Sequence, residues 1–309
     1  MMCDDFYLST GWVLIKKEQE EELDPLAIAG FIALIGLFAN DLITQTQDER
    51  SRLANEMRDY LNRNRPPRSE FMIPGYIASV MTFVNQLLSG WSSSVLATTI
   101  PITEARLLSL YQATTDAWAA VNVGNFMPGL LQSEQRLMQG IITNQNRFVS
   151  NAFGPVILRD IESAIESSLD NLPVRIGNMI ESSASYFPVY ASNAMTLTRG
   201  IAATNQFIRA GYQQAEYSNP LDERTTDFCW MIAGKRFNLY DAQAQAQRIA
   251  SSSSMDEFRQ SAPYVTRVDD GFEFNGIALN AENVESVLAD SGALLPPFHA
   301  RCRTLIIPV

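Results

Sequence analysis

The sequence predicts a mainly α protein, with an elongated helical N-terminal body and a small α+β C-terminal domain. Between Met72 and Val189, apolar residues recur at helical spacing and no strand alternation intrudes. After Asn219-Pro220 the pattern changes to short extended stretches and the tight-turn dipeptides Asp270-Gly271 and Asn275-Gly276. With 309 residues, 46% of them apolar and 18% charged, the chain can bury substantial cores and has the length of about two domains. The expected division is 1–204 for the body and 205–309 for the C-terminal domain.

Along the body, Leu26 to Ala39 is uninterrupted by any polar side chain, but fourteen residues fall short of the ~20 that span a bilayer. A helix buried in a bundle or oligomer is the preferred reading, with membrane insertion as the alternative. The stretch before it, Met1 to Asp24, carries several acids, no basic region ahead of its short apolar run and no small-x-small cleavage site, so no secretory signal is expected. From Ser51, the spacing of Leu53, Met57 and Leu61 predicts an amphipathic surface helix that Asn64-Arg65-Pro66-Pro67 ends. Arg58, Arg63, Arg65 and Arg68 gather there. They read as a solvated helix end whose cations suit the C-terminal dipole, or alternatively as a contact for DNA phosphate or an acidic partner.

Further on, Gly90, Pro101, Pro128-Gly129, Gly154-Pro155, Pro173 and Pro188 are expected to separate successive helices. Ile157, Ile161, Ile165 and Leu169 mark one buried helical face. Polar but weakly charged runs such as Thr143-Asn144-Gln145-Asn146 suggest helices that find partners in a larger assembly. Asn193 to Tyr217 reads as one long helix despite Gly200 and Gly211. In the C-terminal third, Lys235 to Leu239 looks extended and Ser251 to Ser254 reads as a mobile loop. Thr304 to Val309 suits an edge strand, because Pro308 lacks the donor that a central strand needs.

Charge and rare residues bound the chemistry. The 34 acidic against 23 basic residues give a net charge of −11, which excludes a surface that grips nucleic acid all over. The three cysteines, Cys3, Cys229 and Cys302, are too few for a disulfide framework and fit a reducing compartment. His299 is the sole imidazole, so any Ser-His or Cys-His device must use it. His299 and Cys302 lie three apart, and Cys229 offers a third soft ligand, with Asp222 or Asp227 as an oxygen donor to complete a zinc site. The preferred reading is plainer: two buried thiols and a histidine bonded to a backbone carbonyl, with no cofactor. A single zinc is the alternative.

The order of residues in this region resembles the phage Mu F-like, or SPP1 gene-7-like, minor head proteins. The matching positions run from a Thr-, Asn- and Arg-rich helix (Asn193, Arg199, Thr204, Asn205) through Tyr217, Asp222, Arg224, Thr225, Cys229, Gly234 and Phe237 to Pro297, His299, Cys302 and Arg303. They cover a little over a third of the chain. Many relatives carry a further cysteine after the Cys-Arg pair, where this chain has Thr304. The resemblance implies that Asp222, Arg224, Thr225, Cys229, Gly234, His299, Cys302 and Arg303 meet in one structural cluster. It also implies a non-enzymatic virion protein, made in the host cytoplasm and sited inside the capsid by the portal. Its expected partners are portal protein, copies of itself and packaged DNA, with membrane contact only if it is ejected with the genome. The competing readings are a membrane-active channel component using residues 26–39 and a metal-dependent hydrolase.

Overall fold

A computed structural model describes residues 28–67, 72–120, 130–219, 225–269 and 271–309. Cys3, Arg68, Pro128-Gly129, Asp222, Arg224 and Asp270 therefore lie outside the described residues, as does the start of the Leu26 to Ala39 segment. The fold class is as expected: a mainly helical chain with small antiparallel sheets confined to its C-terminal region.

The body is built from helices α1 (Ile28–Gln45), α2 (Gln47–Arg63), α3 (Ile73–Ala120), α4 (Gln132–Ser167), α5 (Leu172–Ser182) and α6 (Phe187–Arg209). In α1, Phe31, Phe38, Ala39 and Leu42 are buried, and the helix packs against α3 and α6. Asp41, at its polar end, accepts a hydrogen bond from Arg106 Nε at 2.7 Å. Among the described residues, no helix is long and apolar enough to cross a membrane. The apolar run thus meets protein along its inner face. In α2, Leu53, Met57 and Leu61 are all buried, and the helix ends at Arg63 before the paired prolines, as the spacing predicted.

The expected breaks at Gly90, Pro101 and Gly154-Pro155 do not occur. Helix α3 runs for 48 residues through the first two, and α4 for 36 through the third. An interior proline costs a helix ~3 kcal/mol. On either side of Pro101, the buried Val95, Thr99, Thr103 and Leu107 hold α3 in the core, and such packing outweighs a local propensity. Pro173 and Pro188, by contrast, sit in the first turns of α5 and α6, where a missing N–H costs nothing.

The long helix expected from Asn193 to Tyr217 begins earlier and stops sooner, as α6. Its end is a glycine-based cap: Gly211, at φ +92°, lets Tyr212 N–H reach the Phe207 carbonyl and Gly211 N–H that of Ile208, both at 3.0 Å. Gln214–Ser218 then forms strand β1, with Ala215 and Tyr217 facing the core. The position expected to divide body from C-terminal domain falls inside α6. This helix packs on α1 and α3 on one side, and on the C-terminal elements on the other.

Those elements are α7 (Asp227–Ile232), β2 (Arg236–Asn238), α8 (Leu239–Ser251), α9 (Met255–Ser261), β3 (Thr266–Val268), β4 (Gly271–Phe274), β5 (Ile277–Leu279), α10 (Val284–Ser291) and β6 (Leu305–Pro308). One antiparallel sheet has the order β2-β1-β6, which leaves β6 and its Pro308 at an edge, as expected. The other is the meander β3-β4-β5, turned at Asn275-Gly276 with both residues at positive φ.

The Ser251 to Ser254 run, expected to be a loop, is a short connection between the end of α8 at Ser251 and the cap of α9 at Ser254. Ser254 Oγ accepts the Glu257 N–H, and Glu257 in return accepts the Ser253 N–H at 2.7 Å. The polar run on α4 also finds its partner within the chain, since buried Asn144 donates to the Ile249 carbonyl at 2.8 Å and Arg147 to that of Ser252 at 2.9 Å. Both close the C-terminal end of α8.

Two glycines test this packing with opposite signs. A Cβ at Gly140 would lie 2.5 Å from the Ala250 carbonyl oxygen, whereas nothing lies within 4 Å of one at the exposed Gly90. Gly140→Ala is expected to lower unfolding stability by about 1–3 kcal/mol through forced separation of α4 from α8. Gly90→Ala is expected to raise it by about 0.5–1 kcal/mol. Urea denaturation of the two variants checks both signs.

Candidate functional site

The site forms where α7 meets the loop before β6. Thr226 caps α7, its hydroxyl accepting the Cys229 N–H at 3.3 Å, and this fixes Cys229 in the first turn. Asn219 Nδ2 donates to the Cys229 carbonyl at 2.7 Å. Opposite, helix α6 holds the loop: Arg301 N–H donates to Asn193 Oδ1 at 3.1 Å, and Thr196 Oγ1 donates to the Cys302 carbonyl at 3.2 Å. Aromatic packing brings the two segments into register. The rings of Phe228 and Phe298 meet at 5.5 Å between centroids, and Phe298 also packs edge-on against Tyr217. Each of these phenylalanines precedes a reactive residue, so their contact brings Cys229 and His299 face to face.

The imidazole is anchored at both nitrogens. Nδ1 lies 2.9 Å from the Ala300 carbonyl oxygen, which can only accept, so Nδ1 carries a proton and in the neutral ring Nε2 has the free lone pair. Nε2 lies 3.0 Å from Cys229 Sγ and 3.3 Å from Thr226 Oγ1. Cys302 is fully buried behind them, with its Sγ 3.2 Å from Thr304 Oγ1. The ligand atoms of Cys229, His299 and Cys302 all lie within 4.8 Å of one another.

These groups perturb one another. Burial works against ionisation of Cys302, but hydrogen bonds from Cys229 and His299 and the charge of the ring outweigh it, so its thiol is held well below the usual range. The hydrogen bond with Cys302, followed by burial, pushes the Cys229 thiol up. Burial depresses the ring of His299, yet the hydrogen bond and charge of Cys302 prevail and raise it.

Of the residues expected in one cluster, the structure joins Thr225, Cys229, His299, Cys302 and Arg303. Arg303 Nη2 donates to Thr225 Oγ1 at 3.1 Å, stapling the two segments. Gly234 stands apart, in the turn between α7 and β2, where its N–H meets the Tyr217 carbonyl at 2.8 Å. Asp222 and Arg224 lie outside the described residues. Asp227, the other oxygen donor considered for zinc, is exposed. Thr226 and Thr304 were missed as site residues, although a threonine directly before an aspartate at a helix start is a legible cap signal. The narrow cleft over the site reaches Cys229 and His299 and is lined by Thr225, Thr226, Arg301 and Arg303 among others. At about 20 Å³ it has room for about one water.

The arginine cluster at the end of α2 divides. Arg58 pairs with Glu181 on α5 at 2.9 Å and also bonds Asn55, which makes it a brace between helices. Arg63 and Arg65 are exposed.

No family model, no curated protein and no solved structure matches the chain.

Replacing His299 by Ala leaves the Cys229 thiol and the Ala300 carbonyl without their shared partner. Its expected cost is about 1–3 kcal/mol of unfolding stability, read from the shift of a urea or thermal transition. An unmoved transition contradicts the structural role assigned to the ring.

Proposed function

We propose that the chain is a structural, non-catalytic protein of a tailed-phage head, sited inside the capsid at the portal vertex and made in the host cytoplasm. The observation that carries this reading is the meeting of two segments remote in sequence, Thr225 to Cys229 and His299 to Arg303, around one imidazole and over α6. The resemblance to the Mu F-like minor head proteins implies a meeting of this kind, with Gly234, which it also groups there, standing apart.

The chemistry around His299 supports a role without turnover. Its described neighbours are thiols, threonine hydroxyls and guanidinium groups. Among the described residues lining the cleft there is no carboxylate to pair with the ring as acid or base. The partners proposed are portal protein and further copies of the chain, with Arg63 and Arg65, the exposed cations among the described members of their cluster, for contact with packaged DNA.

Quantitative mass spectrometry of purified particles tests the reading. The chain is expected at a fixed low copy number relative to portal protein, and particles lacking it are expected to lose infectivity. Absence of the chain from particles, or normal packaging and delivery without it, overturns the proposal.

A further inference from the structure

We infer that Cys229, His299 and Cys302 form a binding site for one zinc ion, with water as the fourth ligand. With bonds of about 2.3 Å to sulfur and about 2.0 Å to nitrogen, a tetrahedral zinc sets its sulfur and nitrogen ligands about 3.6 Å apart and its two sulfurs about 3.8 Å apart. The ligand atoms here lie within 4.8 Å of one another, and Cys229 Sγ and His299 Nε2 are 3.0 Å apart. Shifts of less than about 1 Å bring them onto a common ion.

The surroundings are those of a metal ligand set. The Nδ1–H of His299 is committed to the Ala300 carbonyl, which orients the ring and presents the Nε2 lone pair to the thiols. The cysteines are placed by rigid elements: Cys229 by the capped first turn of α7, and Cys302 by Thr196 of α6 and by its own N–H to the His299 carbonyl at 3.2 Å.

Charge favours the ion as well. Zinc displaces a proton from each thiol to solvent, and two thiolates with a neutral imidazole cancel its two positive charges, so the buried site is neutral when filled. Two sulfurs and an imidazole select zinc over magnesium or calcium, which take oxygen donors. The cleft that reaches Cys229 and His299 has room for the one water that completes the tetrahedron. The filled site clasps α7 to the loop before β6, segments separated by 70 residues of chain.

The test uses the full-length chain, purified under reducing conditions, stripped with a chelator and titrated with zinc or with cobalt(II) as a spectroscopic substitute. One zinc per chain, a raised Tm and thiolate-to-cobalt charge-transfer bands are expected. Cys229→Ser and Cys302→Ser should each reduce those bands to about half, since one of two thiolates is lost. Cys3→Ser should leave them unchanged. If a serine variant does not fold, the wild-type titration decides alone.

Failure of the reduced wild-type chain to take up zinc or to develop the bands overturns the inference. So do bands that persist at full strength in both serine variants, or a Cys229–Cys302 disulfide that an added thiol oxidant such as diamide, itself reduced to the hydrazide, forms at the same rate with saturating zinc as without it. The outcome is separable from the proposed head role: zinc bound by a chain absent from particles refutes that role and leaves the site standing.

Discussion

Burial of helix Phe187–Arg209 on nearly every face is the constraint on which the other features depend. Its polar side chains are largely withdrawn from water, and each buried polar group left unmet costs about 1–3 kcal/mol. Their partners come from both halves of the chain. Asn205 donates to Tyr111 Oη at 2.8 Å and Gln206 to the Thr115 carbonyl at 2.9 Å, both on Ile73–Ala120. Gln243, on Leu239–Ser251, donates to Asn205 Oδ1 at 3.1 Å. Arg199 stacks its guanidinium over the Phe31 ring at 4.7 Å, which ties in the apolar N-terminal helix. A helix with such commitments cannot shift by a turn without breaking several of them together.

The site inherits its order from that helix. Asn193 and Thr196 lie a turn or so apart and seize the backbone at Arg301 and Cys302. Arg301 adopts a left-handed backbone, φ 58°, at the bond that Asn193 accepts. His299 is therefore presented by a loop fastened to the most buried element of the fold, while the two phenylalanine rings fix its distance from Cys229. A thiol-imidazole contact on a free loop would exchange partners with water. Here it is held from both sides, by the hydrogen bonds from α6 and by the paired phenylalanine rings.

Periodic signals were legible wherever a side chain's own face decided the outcome. Leu53, Met57 and Leu61, the Ile157, Ile161 and Ile165 face, the Asn275-Gly276 turn and the Pro308 edge strand all stand as their spacing indicated, whereas Leu169, expected on that same face, lies past the helix end at Ser167 and is half-buried. Punctuation was misleading where tertiary packing outweighed it, as in the uninterrupted helices through Pro101 and Gly154-Pro155. Strand β1 was absorbed into a helix because Gln214 to Ser218 is short, and the signal that separates them is a single glycine cap. The polar side chain of Asn144 suggested an outside partner, yet it meets a carbonyl 105 residues away in the same chain. Spacing carries no record of such distant contacts. The Cys229, His299 and Cys302 group and a carbonyl anchor for the ring were legible as residue types and Thr226 as a helix cap, but the place of Thr304 beside the thiols follows from the path of the backbone.

Native-state hydrogen exchange followed by mass spectrometry tests most directly whether Phe187–Arg209 binds both halves into one cooperative unit. Peptides from Leu107 to Trp118, from Phe187 to Arg209 and from Leu239 to Ser251 are expected to share one opening free energy and to respond alike to denaturant. Opening of the region after residue 209 at a distinctly lower free energy, while Phe187–Arg209 stays protected with the body, would contradict the account.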